Sequence, residues 1–287
     1  MFNSLPALKA NPPIISALGR LLVILAAWVS IFCAIRSQAG EVHFVPDVAY
    51  LAPNRTEKLD LYLPQVPQDR PSPAVVWIHG NKGDKGEKRG HQICELLAAN
   101  GYVCVSINYG PDLEFKTNIL DCKNAVRFLR AHAADYHIDP AHIAVCGGSA
   151  GGYYALIVGF TVGIPEFEPA EPYPGVSSVA CAVVDFYGPM GHRDPRVPDY
   201  VTAGGPPVLI LQGGADDKVK PNNSIELDRV LAAKGVAHNF ILLPGVGHSF
   251  RLNTTWDDKP LPQDLGPVLL GFLNRYLKPN PNSSTHS

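Results

Sequence analysis

Two kinds of hydrophobic pattern alternate along most of the chain. Short runs are apolar at every position, which is typical of strands buried on both faces of a parallel sheet. They are 74–78, 103–107, 143–146, 179–186, 208–211 and 240–243. Between them, apolar residues recur at spacings of three and four, which predicts helices, for example over 118–130 and in 225–231 and 268–273. The alternation predicts an α/β fold with a mostly parallel central sheet flanked by helices.

The segment before these runs has a different pattern. Residues 41–51 and 58–63 alternate apolar and polar positions around Pro53 and Asn54, which predicts two leading strands joined by a turn. Residues 164–174 are rich in proline. Because strands of the same series continue beyond them, we expect an excursion within one domain there.

The N-terminus carries a candidate export signal. An uncharged apolar run, 21–35, lies between Arg20 and Arg36 and is shorter than the about 20 residues that cross a bilayer. Small residues follow, and they favour cleavage after Ala39 over a retained anchor formed by residues 14–35. We therefore predict a signal peptide or membrane anchor over 1–39, a catalytic domain over 40–278 and a flexible tail over 279–287, in a protein that is exported or tethered to the membrane.

Composition and charge narrow the classes of partner. Hydrophobic residues make up 46% and charged residues 17% of the chain, a balance typical of a globular protein. Lys and Arg number 24 against 26 Asp and Glu, so a basic surface for nucleic acid is not expected.

The cysteines predict no scaffold of disulfides. The five beyond the N-terminal segment are Cys94, Cys104, Cys122, Cys146 and Cys181. Buried thiols are the expectation for them, and one bridge, such as Cys94 with Cys122, stays open. The spacing of Cys and His residues does not predict a zinc site.

A candidate nucleophile follows the strand 143–146. Ser149 lies in the sequence Gly-Gly-Ser-Ala-Gly-Gly, between that strand and the helical pattern of 153–158. A sharp strand-to-helix turn rich in glycine lifts a serine hydroxyl clear of the sheet, where it can be activated. The alternative is a glycine turn that only packs tightly or binds phosphate.

Candidate partners of Ser149 follow two later strands. His248 lies in a glycine-rich loop after 240–243, where a neutral imidazole could accept the Ser149 proton. Asp216 and Asp217 follow 208–211, and only one of them can orient His248. The sequence favours Asp216, with Asp217 as a solvated neighbour.

Backbone donors are expected near the nucleophile. The N–H groups of Asn81, which follows the strand 74–78, and of Ala150 are candidates for an oxyanion hole. The charged residues of 82–89 are expected to form a solvated surface turn in the same loop.

The motifs around Ser149, Asp216 and His248 resemble the esterase/lipase branch of the α/β-hydrolase superfamily, over about residues 50–278. His79-Gly80, Asn108-Tyr109 and the run before Gly147 also match that branch. The chain is most similar to small acetyl-esterase and feruloyl-esterase-like carboxylesterases. The resemblance implies ester hydrolysis by Ser149, His248 and Asp216 without a metal or organic cofactor. Asn81 stands where that branch usually has glycine.

The resemblance also implies a substrate class. The segment between Gly159 and Pro206 would form a short cap, which favours a short acyl group such as acetyl, or a feruloyl group, on a small or polysaccharide-linked alcohol. Two alternatives stay open, a serine peptidase on the same fold and a binding protein without catalysis. The sequence does not determine the oligomeric state.

Overall fold

The computed structural model describes residues 42–65, 69–110, 115–191, 197–255 and 257–278. The predicted signal or anchor segment, 1–39, and the predicted flexible tail, 279–287, lie outside these ranges and stay predictions. Of the helices within the described ranges, none is both long and apolar enough to cross a membrane.

The described residues form one sheet of eight strands in the order β1-β2-β4-β3-β5-β6-β7-β8. The strands are β1 Val42–Ala49, β2 Lys58–Pro64, β3 Ser72–Ile78, β4 Val103–Ile107, β5 Ile138–Gly148, β6 Val183–Phe186, β7 Val208–Gly213 and β8 His238–Leu243. The β1–β2 and β2–β4 pairs are antiparallel, and all other neighbours are parallel. The prediction of a mostly parallel sheet with two leading strands is therefore confirmed.

Helices cover both faces of the sheet. They are α1 Lys88–Ala99, α2 Phe115–Ala131, α3 Ala150–Phe160, α4 Val197–Tyr200, α5 Asn222–Ala233 and α6 Gly266–Leu277, with a short 3₁₀ helix at Pro165–Phe167. Helices α2 to α5 contribute to the core on one face, and α1 and α6 to the core on the other. These are the two apolar layers that a buried parallel sheet requires.

Four features differ from the sequence prediction. Strand β8 was expected to be buried on both faces, but it forms the edge of the sheet and Leu242 is 43% exposed. Phe240 packs against the core on one face of the sheet, and Ile241 and Leu243 pack against the core on the other. The sequence pattern does not reveal that the strand lies at the edge. Helix α1 was not predicted, and β6 begins four residues later than its apolar run. The segment between Gly159 and Pro206, expected as a cap, contains β6 and α4.

The proline-rich excursion is attached to α2 by buried charges. The side chain of Lys123 is fully buried, and its Nζ lies 2.8 Å from Glu168 Oε1 and 2.8 Å from the Thr161 carbonyl oxygen. Arg127 Nη2 lies 2.9 Å from the other carboxylate oxygen of Glu168. Because a buried ammonium is costly without partners, these contacts hold the excursion against α2.

The five described cysteines are free thiols. A bridge between Cys94 and Cys122, which the sequence left open, is wrong because the two side chains belong to the cores on opposite faces of the sheet. The sulfur of Cys94 instead lies 2.8 Å from that of Cys104.

A carboxyl group is buried in the sheet below the start of α3. Asp185 on β6 is fully buried, and its Oδ1 accepts the Gly188 N–H at 2.8 Å, while Oδ2 has no hydrogen-bond partner in the ranges that the structure describes. A Cβ atom at Gly152, in the first turn of α3, would overlap Oδ1. Burial raises the pKa of Asp185 to about 7, although the Gly188 N–H acts in the opposite direction.

This burial predicts a pH-dependent stability. Because its pKa is raised in the folded protein, Asp185 contributes most to the free energy of unfolding at pH values below its ordinary pKa of 3.8. This contribution is lost as the pH rises through about 7. We expect Asp185→Asn, which mimics the neutral acid, to gain up to about 4 kcal/mol over the wild type between pH 4 and pH 8. Urea denaturation across this range measures the difference in the free energy of unfolding.

The exposed Asp217 supplies the control, because Asp217→Asn removes the same charge from a side chain that is 70% exposed. Its stability curve should run parallel to that of the wild type. A parallel curve for Asp185→Asn would contradict the prediction.

Candidate active site

The turn between β5 and α3 holds Ser149 in a strained conformation. Ser149 has φ +56° and ψ −121°, a combination that non-glycine residues adopt only where the surroundings enforce it. A Cβ atom at Gly151 would overlap the carbonyl oxygen of Ile78 on β3, and one at Gly147 would overlap that of Gly151. The glycines therefore allow the backbone contact that raises Ser149 above the edge of the sheet.

His248 connects Ser149 to a buried carboxylate. Its Nε2 lies 3.1 Å from Ser149 Oγ, and its Nδ1 lies 2.7 Å from Asp216 Oδ2. An ionised carboxylate only accepts hydrogen bonds, so Nδ1 carries the proton and Nε2 is the acceptor for the serine hydroxyl. The three side chains thus form one hydrogen-bonded chain in which Nε2 can take the Ser149 proton.

Asp216 and Asp217 have different surroundings. The Asp216 side chain is fully buried, and its Oδ1 accepts the N–H groups of Lys218 and Val219 at 2.9 Å each. Gln212 Nε2 donates to Oδ2 at 3.1 Å. The Asp217 side chain is 70% exposed and forms an ion pair with Lys218, at 3.5 Å. Of the two aspartates, Asp216 is therefore the one in contact with His248.

Both predicted oxyanion donors line the same small cavity as Ser149 and His248. Its volume is about 190 Å³, and its walls are Asn81, Ser149, Ala150, Pro189, Lys218, Val219, Asn223 and His248. Ala150 is the first residue of α3, and the N–H groups at a helix start have no intrahelical acceptor. A Cβ atom at Gly80 would lie 3.2 Å from the Ser149 Cβ, so the loop that carries Asn81 passes close to the nucleophile.

A buried arginine supports the His248 loop from below. Arg89 of α1 is only 4% exposed, and its Nε donates to the carbonyl oxygen of Phe250 at 3.0 Å. Its guanidinium lies 5.3 Å from the ring centre of Tyr187, and the Tyr187 and His248 rings meet at an angle of 64° with their centres 4.8 Å apart. Arg89 thus holds the loop at Phe250, two residues after His248, and Tyr187 packs against the His248 ring itself.

The sequence analysis missed these two supporting residues. The expectation of a solvated turn over 82–89 is wrong for Arg89, and also for Glu87, whose side chain is 19% exposed and hydrogen-bonds to the Trp77 indole. A run of alternating charges does not reveal that α1 begins inside it at Lys88. Tyr187 directly follows β6, and its place at a strand end was the available signal.

A family model described as BD-FAE matches residues 59–197. Among curated proteins, the chain is 27% identical to Esterase LipC of Mycobacterium tuberculosis over 68% of this chain and 57% of that protein. It is 26% identical to an acetylxylan esterase of Xylanibacter ruminicola over 71% of this chain and 46% of that protein. The chain thus spans about half the length of these curated relatives.

Solved esterase structures have the same fold. Esterase 2 of Thermogutta terrifontis superimposes with a TM-score of 0.68 at 25% identity, over 85% of this chain and 95% of that one. A truncated carbohydrate esterase from gut microbiota gives a TM-score of 0.72 at 24% identity, over 85% of this chain and 99% of that one. With the serine turn and the chain order Ser149, Asp216, His248, these similarities confirm the resemblance seen in the sequence. The chain therefore has the α/β-hydrolase fold and is similar, in sequence and in structure, to esterases of that superfamily.

Proposed function

We propose that the protein hydrolyses carboxylic esters of short acyl groups through a covalent acyl-enzyme on Ser149. The observation that carries the proposal is the hydrogen-bonded chain from Ser149 Oγ through His248 to the buried carboxylate of Asp216. Such a chain converts a weak hydroxyl nucleophile into an active one, because the base and its orienting acid are already in contact.

Acylation begins when Ser149 Oγ attacks the ester carbonyl carbon and its proton passes to His248 Nε2. The carbonyl oxygen becomes an oxyanion, and the N–H groups of Asn81 and Ala150 are the donors proposed to stabilise it. Asp216 stabilises the imidazolium through Nδ1. The tetrahedral intermediate then collapses, the C–O bond to the alcohol breaks, and His248 gives its proton to the leaving oxygen.

Deacylation repeats these steps with water as the nucleophile. His248 Nε2 takes a proton from water as the water oxygen attacks the acyl carbon of the ester on Ser149. The second intermediate releases the carboxylic acid, and His248 returns the proton to Ser149 Oγ. In this scheme the protein groups that take part in the reaction come from five residues, Asn81, Ser149, Ala150, Asp216 and His248.

The dimensions of the site favour a short acyl group. The cavity at Ser149 has a volume of about 190 Å³, below the range of about 300–1,000 Å³ that is usual for pockets of drug-sized ligands. An acetyl group is our first choice, in line with the acetylxylan esterase among the relatives, and a feruloyl group is the alternative. An exported or tethered protein, as residues 1–39 predict, would meet polysaccharide-linked esters outside the cell.

Removal of the nucleophile should abolish turnover. We expect Ser149→Ala to lower kcat for p-nitrophenyl acetate by about 10⁶-fold, because the acyl-enzyme can no longer form. A fluorophosphonate should label the wild-type protein at one equivalent and leave the variant unlabelled. Equal rates for the two proteins would contradict the proposal. Absence of labelling in the wild type would favour a non-catalytic member, and preference for anilide over ester reporters would favour a peptidase.

The neighbouring aspartates offer a matched pair of variants. We expect Asp216→Asn to lower kcat by about 10⁴-fold, because the amide no longer holds His248 in the active tautomer. Asp217→Asn should leave kcat within about twofold, because a solvated surface charge contributes little. Steady-state hydrolysis of p-nitrophenyl acetate measures both effects, and equal losses in the two variants would show that Asp216 has no special role.

A further inference from the structure

A second cavity lies beside the catalytic one at the same edge of the sheet. Its volume is about 400 Å³, and it is formed by the ends of β3 and β4, the residues before β2, and α2. It is lined by Thr56, Glu57, His79, Gly80, Asn81, Lys82, Gly83, Asp84, Asn108, Tyr109, Gly110 and Asn118. Because Asn81 lines both cavities, a ligand attached to Ser149 lies one residue away from the second cavity.

The composition of this lining is unusual for a substrate pocket. Ligand pockets are mostly apolar, yet none of the described lining residues is Ala, Val, Leu, Ile, Met or Phe. Its one tyrosine ring, Tyr109, stacks on the His79 imidazole at 4.4 Å between ring centres. A hydrocarbon chain would therefore gain little binding free energy here. A polar group with a flat or cyclic body could instead form hydrogen bonds with the lining and contact the Tyr109 ring.

One wall contains an acceptor without a partner. Asn118 is 1% exposed, and its Nδ2 donates to the Tyr154 hydroxyl oxygen at 3.0 Å, while Oδ1 has no hydrogen-bond partner among the described residues. Oδ1 faces Gly110, where an added Cβ atom would lie 3.0 Å away. A buried carbonyl oxygen without a donor is uncommon in native proteins, and a ligand hydroxyl could supply the missing donor.

His79 adds a second acceptor. Burial lowers the pKa of His79, so the ring is neutral at pH 7. Its Nδ1 donates to the Gly80 carbonyl oxygen at 2.8 Å, which leaves the unprotonated Nε2 as an acceptor. In the part of the chain that the structure describes, Nε2 has no hydrogen-bond partner.

The outer wall is braced by ion pairs. Arg55 lies 2.9 Å from Glu57 Oε2 and contacts both carboxylate oxygens of Asp121, at 3.0 Å and 2.7 Å. Asp121 Oδ2 in turn accepts the Gly110 N–H at 3.0 Å. These contacts link two residues of the lining, Glu57 and Gly110, through Arg55 and Asp121, so this part of the wall is held in place before a ligand binds.

We propose that this cavity is a subsite for a hydroxyl-bearing part of the ester substrate, with Asn118 Oδ1 and His79 Nε2 as hydrogen-bond acceptors. The inference deepens the proposed ester hydrolysis and rests on it for turnover. The hydroxyls can belong to a sugar-like alcohol or to a ring-hydroxylated acyl group, and the two sources are separable by substrate.

The first test compares matched pairs of esters. For the alcohol, kcat/KM is measured for monoacetylated methyl xyloside and for cyclohexyl acetate. For the acyl group, it is measured for methyl 4-hydroxycinnamate and methyl cinnamate. We expect the hydroxylated member of one pair to be preferred by about tenfold or more, because the other member leaves the buried acceptors unpaired. The pair that shows the preference identifies the source of the hydroxyls.

Two variants and a control tie the preference to the cavity. Thr56→Trp fills the mouth of the cavity from an exposed position, and Asn118→Leu removes the unpaired acceptor. Each variant should reduce the preference to less than about twofold. Because the preference is a ratio of two kcat/KM values measured on the same protein, any general loss of activity cancels. Thr202→Trp adds the same side chain at another exposed threonine, in a different cleft, and should keep the preference. If Asn118→Leu fails to fold, Thr56→Trp decides alone.

A binding measurement keeps the subsite separate from catalysis. Saturation-transfer NMR of methyl xyloside and of 4-hydroxycinnamate on the Ser149→Ala protein should show transfer to one ligand, and Thr56→Trp in that background should remove it. No transfer to either ligand, or a preference that survives in Thr56→Trp, would overturn the subsite. Transfer without any ester turnover in the wild type would mean instead that the proposed hydrolysis is wrong.

Discussion

The contact between α3 and the two central strands β3 and β5 governs the geometry of the whole site. At Gly151 the helix backbone lies so close to the Ile78 carbonyl that a side chain cannot fit between them. This contact fixes Ser149 in its strained conformation and also fixes its height relative to the loop that follows Ile78. The positions of Ser149 and of the proposed oxyanion donors depend on this contact. Ser149 and Ala150 lie on its helix side, and Asn81 lies in the loop on its strand side.

The features that the sequence predicts correctly are those with a local pattern. The apolar runs predict the strands. The glycines around Ser149 predict a sharp turn in which neighbouring backbones lie too close together for side chains. Strand β8 and Arg89 were misjudged because their surroundings are set by distant segments. Whether an apolar strand is central or at an edge depends on which strands pair beside it, and Arg89 is buried because the start of α1 packs it against the loop that carries Phe250.

Asn81 lies between the two cavities at the sheet edge, and it replaces a glycine that is usual in this branch. Asn81 is exposed, whereas Gly80 before it makes the close contact with Ser149. Because Asn81 lines both cavities, its amide is a polar group at the boundary between them. In a site with few apolar walls, such an amide affects orientation more than it affects binding strength.

The link between Arg89 and the carbonyl oxygen of Phe250 joins segments that are 161 residues apart. Helix α1 therefore does more than cover one face of the sheet, because it carries a cation that hydrogen-bonds to the backbone just after His248. Loosening of α1 by heat, denaturant or mutation would displace His248 before the sheet itself unfolded. Loss of turnover should thus be an early reporter of local unfolding in this protein, ahead of any change in its overall secondary structure.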